Sequence, residues 1–298
     1  MQCAVIDIGS NSMRLTVYEA EPSHFTILFK EKIMAGLAGY VAGGALSQEG
    51  IQCAITGLLA FRQALKLLKI HDISVFATAS LRNISNTQQA VAQIRAATGF
   101  EVEVLSGQDE AMLGYWGAME DLSMTDGLFA DIGGASTEIA AFSHGELIRA
   151  ESYPVGSLRL YQDCIKKILP GDGAKERMKK RIQETFGPMD GFPPQEVLAC
   201  VGGTSRAVLK LARKHFGLSP SCRQVSAEQL EQLYAFLCRG DRDALELLLK
   251  LVPERIHTLL PGMTILRYVM RRLQVCEMVV SKYGVREGYL CQRIQRKS

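Results

Sequence analysis

Two stretches of this 298-residue chain, AVIDIGSNSMRLTV (4–17) and LFADIGGASTEIAA (128–141), superimpose without gaps at an offset of 124. Asp7 falls on Asp131, Gly9 on Gly133, Ser12 on Ser136 and Leu15 on Ile139. A chain that carries one strand–turn–strand unit twice is expected to fold as two halves built on one plan. In each copy an apolar strand ends in Asp and runs into small residues, which let the backbone approach an anion such as phosphate. Neither copy holds the lysine that a Walker-type loop needs. One such stretch alone reads more readily as a strand-end turn capped by Asp. The matched pair favours binding loops.

A third loop, ACVGGTSRAVLKLA (199–212), repeats the theme. A strand runs into Gly202 and Gly203, and a helix is expected from about Thr204 or Ser205, where free N–H groups favour an anion. The rest reads as alternating strands and helices. Residues 3–20 form a hairpin and 25–33 a strand. A helix over 47–69 starts on Ser47 as N-cap. DISVFATAS (72–80) and EVEVLS (101–106) are strands, and the segments 86–99 and 107–121 are helices. Further helices are expected at 157–169, 174–186 and 205–216, with a strand at 196–201. This is an α/β pattern. The length allows two domains, taken as 1–122 and 123–298, with the last helix able to pack back on the first domain. No linker separates them, so they are expected to meet at a cleft.

Charge divides the same way. Residues 1–150 hold 9 Lys/Arg against 16 Asp/Glu, and residues 151–298 hold 25 against 15. A basic second half suits a polyanion, although basic helices that are merely solvated give the same count. Residues 255–298 carry nine Lys/Arg and two Asp/Glu. Arg267, Arg271, Arg272, Lys282 and Arg286 would form a polyanion track if they share a face. Nucleic acid ranks low as partner, because aromatics are sparse and Trp116 is the single tryptophan. Eight scattered cysteines without a C-x-x-C pair suggest a reducing cytoplasm. No secretory signal and no run of about 18 uncharged apolar residues is present, so a membrane span is not expected.

Several ordered motifs carry a resemblance along nearly the whole chain. They are DIGSNSMRL (7–15), ATASLRNISN (77–86), LSGQDEAMLGYWGA (105–118), DIGGASTEI (131–139), PVGSLRL (154–160), GGTSRAVLKLA (202–212), LLPGMTILRYVM (259–270) and VSKYGVREGYL (280–290). The chain resembles the exopolyphosphatase/guanosine pentaphosphate phosphatase family. That family is part of the actin-like, ribonuclease H-like superfamily that also holds hexokinase and Hsp70 ATPases. The resemblance implies two actin-like α/β domains around an interdomain cleft, and hydrolysis of a terminal phosphoanhydride of polyphosphate or of guanosine pentaphosphate, with polyphosphate or guanosine penta- or tetraphosphate as the bound partner. It aligns Glu110 with the family's catalytic base, with Asp109 as a supporting neighbour. It places Asp131, Glu138 and Asp7 on the side of a Mg²⁺ (or Mn²⁺) ion. It gives phosphate contacts to Gly9, Ser10, Asn11, Ser12, Arg14, Arg82, Gly133, Gly134, Ala135, Ser136, Thr137, Gly202, Gly203 and Thr204. A homodimer is allowed for.

Two departures bear on activity. The family commonly has a third glycine where Ala135 stands, which would strain the loop if residue 135 needed positive φ. Longer members continue into a helical HD-type domain, whereas His71-Asp72 is the lone HD pair here and reads as a surface accident, so the short two-domain form is expected. The alternatives are a non-catalytic sensor of polyphosphate or guanosine polyphosphates, and an ATP-dependent small-molecule kinase on the same fold.

Overall fold

The computed structural model describes residues 1–21 and 24–297. The chain divides into two compact units, Met1–Glu110 with Tyr289–Ser298, and Ala111–Gly288. The first contains β1 (Gln2–Ile8), β2 (Met13–Glu21), β3 (His24–Ile33), a small ribbon of β4 (Val41–Ala42) and β5 (Ala45–Leu46), and α1 (Gln48–Leu67). It continues with β6 (Ile73–Ala77), α2 (Ala79–Arg82), α3 (Thr87–Thr98), β7 (Val102–Val104) and the start of α4 (Gly107–Met119). Its sheet runs β3-β2-β1-β6-β7. The first three strands are antiparallel, and β6 and β7 join parallel to β1.

The second unit repeats the arrangement with β8 (Gly127–Ile132), β9 (Thr137–Ser143), β10 (Glu146–Tyr153), α5 (Ser157–Cys164), α6 (Asp172–Phe186), β11 (Val197–Val201) and α7 (Gly202–His215). Then come β12 (Gln224–Ser226), α8 (Ala227–Cys238), α9 (Arg242–Leu251), α10 (Leu259–Arg272), β13 (Glu277–Val280) and the start of α11 (Val285–Lys297), whose residues from Tyr289 belong to the first unit. The sheet order is β10-β9-β8-β11-β13-β12.

The offset of 124 seen over 14 residues of sequence extends much further in the structure. The β2 start at Met13 matches the β9 start at Thr137, the α1 start at Gln48 matches the α6 start at Asp172, and β6 matches β11 at both ends. Each unit has its own core, in which central strands buried on both faces read as unbroken apolar runs. In the first, Ile6, Ile8, Met13, Leu15, Leu58 and Phe61 are fully enclosed; in the second, Leu128, Ile139, Leu198, Val208 and Ile265 are.

Local signals set the element ends. Ser47 accepts the Gly50 N–H and starts α1, whose Ile51, Ala54, Ile55, Leu58, Phe61 and Leu65 line one helical face. Gly99 takes a left-handed conformation and ends α3. The helix expected over 157–169 stops at Cys164, whose carbonyl accepts two hydrogen bonds from the Arg177 guanidinium at 2.8 and 3.2 Å. The helix expected from 205 begins at Gly202, so both glycines belong to its first turn. All eight cysteines are free thiols. Among the described residues no helix is long and apolar enough to cross a membrane.

Candidate active site

In the first unit, β1 ends at Ile8 and the chain turns through Gly9–Ser12 into β2. The Gly9 N–H donates to the Ser12 carbonyl at 3.2 Å, and a Cβ on Gly9 would lie 2.8 Å from that oxygen. Glycine is therefore required by close approach. The carbonyls of Ser10 and Asn11 accept the N–H groups of Ala38 and Gly36, both at 3.0 Å, which holds the turn from outside. Asp7 and Arg14 face each other across the β1–β2 ladder, and Arg14 Nε reaches Ser12 Oγ at 3.3 Å. The Ser80 hydroxyl donates to the Ile8 carbonyl and fastens α2 to the strand end.

Arg82 follows on α2 and meets the first turn of α4. Its Nη1 lies 2.6 Å from Glu110 Oε2 and also donates to the Leu105 carbonyl at 3.2 Å. Glu110 is 7% exposed. A carboxylate buried to this degree needs a charged partner, and Arg82 supplies one. Asp109 behaves differently, because it is exposed and hydrogen-bonded to Ser106 at the start of the same helix, at 2.7 Å. The two adjacent acids are thus separated by direction, one inward to an arginine and one outward to its own helix end.

In the second unit the turn is Gly133–Ser136, and the Gly133 N–H donates to the Ser136 carbonyl at 3.0 Å, as at Gly9. Asp131 and Glu138 face each other across β8 and β9, and Glu138 is 1% exposed. Thr204 Oγ1 donates to the Ile132 carbonyl at 3.1 Å, the counterpart of Ser80 on Ile8 at the same offset. Positive φ outside glycine occurs among the described residues at Lys69, His144, Met189 and Gln274, so Ala135 has negative φ and its methyl carries no left-handed strain. The turn is pinned from behind by α5: Ser157 N–H reaches the Gly133 carbonyl at 2.9 Å, and Leu158 and Arg159 N–H reach that of Gly134 at 2.9 and 3.0 Å.

The third loop packs onto this turn. Gly202 has φ +83, and a Cβ there would stand 2.1 Å from Asp131 Oδ1. A Cβ on Gly203 would collide with the Arg255 guanidinium at 1.7 Å. The second unit therefore brings together Asp131, Glu138, Gly133–Thr137, Gly202–Thr204 and Arg255. Beneath them, burial with the Asp131 charge added pushes the Cys200 thiol up to about 12, so it stays protonated and inert. Sequence reasoning missed Arg255 and also Ser152, whose hydroxyl donates to Glu138 Oε1 at 2.7 Å. Neither has a local motif: Arg255 lies in a short 3₁₀ turn and Ser152 in an ordinary strand.

The five basic residues of the expected track sit on α10, on α11 and on the loop between β13 and α11. Arg267 and Arg271, on α10, converge on Glu231 at 2.5 and 2.7 Å, and Arg267 also lies 3.7 Å over the Tyr234 ring. Arg272 pairs with Asp190 at 3.1 Å. Lys282 and Arg286 belong to the β13–α11 region, where the Lys282 N–H donates to Asp121 at 2.7 Å. These pairs hold the Arg267, Arg271 and Arg272 guanidinium groups against carboxylates.

Asp131 and Glu138 are hard oxygen donors placed across one strand pair. Among the described residues no group of three or more His, Cys, Asp or Glu could hold a metal ion. A partial shell of one or two carboxylates suits Mg²⁺, which keeps waters and takes its other ligands from substrate phosphates.

A model of the Ppx/GppA phosphatase family matches residues 16–297. Exopolyphosphatase 1 of Mycobacterium tuberculosis is 26% identical over 316 aligned residues, covering 100% of this chain and 90% of that protein. The Mycobacterium leprae exopolyphosphatase 1 is 23% identical with 91% of its length covered. Among solved structures, an exopolyphosphatase from Cytophaga hutchinsonii superimposes with a TM-score of 0.89 at 22% identity, covering 99% of this chain and 98% of that one. The Aquifex aeolicus Ppx/GppA family member gives 0.81 at 21% identity, covering 100% and 99%. The fold is accordingly the actin-like α/β fold in two units.

Proposed function

The chain belongs to the Ppx/GppA phosphatase family and is a phosphohydrolase, and from that premise we propose that it removes the terminal phosphate of inorganic polyphosphate, guanosine pentaphosphate, or both. The family match carries this reading, because it spans residues 16–297 and so includes Glu110, Asp131, Glu138 and Gly202–Thr204. The relatives named exopolyphosphatases favour polyphosphate as the substrate class. The enzyme would work in the cytoplasm, where free thiols persist.

Glu110 is the proposed base. Its carboxylate accepts the proton of the attacking water, and Arg82 fixes the carboxylate plane for that task. Asp131 and Glu138 would hold Mg²⁺, with Asp7 as a helper. The ion supplies charge neutralisation on phosphate oxygens, the main demand of phosphoryl transfer. The turns Gly9–Ser12 and Gly133–Thr137, with Gly202–Thr204, offer backbone N–H groups and hydroxyls to phosphate oxygens. Arg14 adds a planar guanidinium suited to the same oxygens. A polyanion lying along Arg267, Arg271, Arg272, Lys282 and Arg286 would exchange protein carboxylates for phosphates at Glu231 and Asp190, with steep salt dependence.

The test is phosphate release from polyphosphate, guanosine pentaphosphate and ATP in parallel, with and without Mg²⁺. Glu110→Gln is expected to lower release by about 10²–10⁴-fold, the range for loss of a general base. Binding of guanosine polyphosphates without turnover would instead favour the sensor reading, and transfer to a small acceptor the kinase. Negative φ at Ala135 removes one argument for a degraded loop.

A further inference from the structure

The Glu138 carboxylate is 1% exposed, on a strand whose neighbour β10 places Ser152 directly opposite. Residues opposite each other in an antiparallel pair project from the same face of the sheet. The hydroxyl of Ser152 donates to Glu138 Oε1 at 2.7 Å. Serine has one proton to give, and here it goes to one named oxygen of the carboxylate. A strand-borne serine also has a short reach, so this contact restricts the rotation of the carboxylate plane while leaving Oε2 to other partners. In the first unit the residue opposite Arg14 on the third strand is Lys32. The hydroxyl is therefore a feature of the second hairpin and not of the repeated backbone.

We propose that Ser152 is a positioning residue: its hydroxyl orients the Glu138 carboxylate so that Glu138 can take part in holding a divalent cation. This rests on the proposed role of Glu138 at the metal side of the site. Partners that hold a ligating carboxylate through a hydrogen bond set its angle and basicity, and their loss weakens metal binding without removing a ligand. A serine that only satisfied a buried carboxylate would alter stability and leave metal affinity alone.

The experiment compares wild type, Ser152→Ala, Ser152→Cys, Ser152→Thr and Glu138→Gln. Two readouts are taken: the Mg²⁺ concentration giving half-maximal polyphosphate hydrolysis, and Mn²⁺ binding by electron paramagnetic resonance, with Mn²⁺ alone and with inorganic phosphate. Ser152→Ala is expected to weaken both about tenfold, within the range for loss of an outer-shell partner, while turnover at saturating Mg²⁺ stays near wild type. Ser152→Cys keeps the shape with a poor donor and should follow Ala without a cavity. Ser152→Thr keeps the hydroxyl and should recover wild-type values. If the Ala and Cys variants bind metal like wild type while Glu138→Gln does not, the role of Ser152 is overturned and that of Glu138 stands. If Glu138→Gln also binds metal normally, the metal-side reading of Glu138 falls, and the proposal falls with it.

Discussion

At the first hairpin, Asp7, Arg14 and Lys32 stand opposite one another across β1, β2 and β3; at the second, Asp131, Glu138 and Ser152 do so across β8, β9 and β10. The backbones are alike down to single hydrogen bonds. Gly9 and Gly133 close their turns on Ser12 and Ser136, and Ser80 and Thr204 fasten the following helix to Ile8 and Ile132. The side chains across the row differ in sign: one acid and two cations at the first, two acids and a hydroxyl at the second. A duplicated scaffold has kept the contacts that shape the turn and diversified the side chains across the row. We take the cationic row as suited to phosphate oxygens and the acidic row to a cation.

The sharpest way to break this contrast is to neutralise one member of each row. Glu138→Gln is expected to cut phosphate release at moderate Mg²⁺ by about 100-fold, with part of the loss recovered as Mg²⁺ is raised. Arg14→Gln is expected to cost about 10–100-fold in kcat/KM, the value of a charged hydrogen bond to a phosphate, mainly through KM and with no change in Mg²⁺ dependence. Metal titrations at several polyphosphate concentrations separate the two. Equal Mg²⁺ dependence in both variants would show that the rows are not specialised.

The helix starts after β6 and β11 give a second contrast. Gly202 has φ +83 against the Asp131 carboxylate, whereas its counterpart Thr78 has φ −111, outside the left-handed region. Gly202→Ala should destabilise the fold by about 2–4 kcal/mol, combining left-handed strain with overpacking, and should lower activity by displacing Asp131. Thr78→Ala should cost about 1 kcal/mol. Thermal melting of the two variants measures the difference, and equal melting temperatures would refute the special status of Gly202.

These particulars show what was legible in the sequence. The Asp–Gly turns, the Ser47 cap and the apolar face of α1 are local patterns, each with one physical cause, and they point to their elements directly. The repeat was visible over only 14 residues, because beyond the turns a buried strand accepts any apolar side chain of fitting size, as Val75 and Ala199 do at matching positions. Ser152 and Arg255 could not be read, since their contacts join segments 14 and 52 residues apart with no periodicity to announce them. The end of α5 depends on Arg177, a residue outside that helix.

Residue 135 gives the smallest expected effect and a check on how the second turn is held. Its counterpart in the first turn is Asn11, so neither hairpin has a glycine there. The turn's shape is imposed from behind: α5 donates three N–H groups to the carbonyls of Gly133 and Gly134, and a Cβ on Gly156 would lie 2.5 Å from the Ala135 nitrogen. With φ negative at Ala135, a glycine would gain nothing in the folded state and would add freedom to the unfolded chain. Ala135→Gly should therefore lower stability by about 0.4–1 kcal/mol and leave phosphate release and Mg²⁺ dependence unchanged. A marked rise in activity would mean that the methyl group, and not the backbone held by α5, limits the turn.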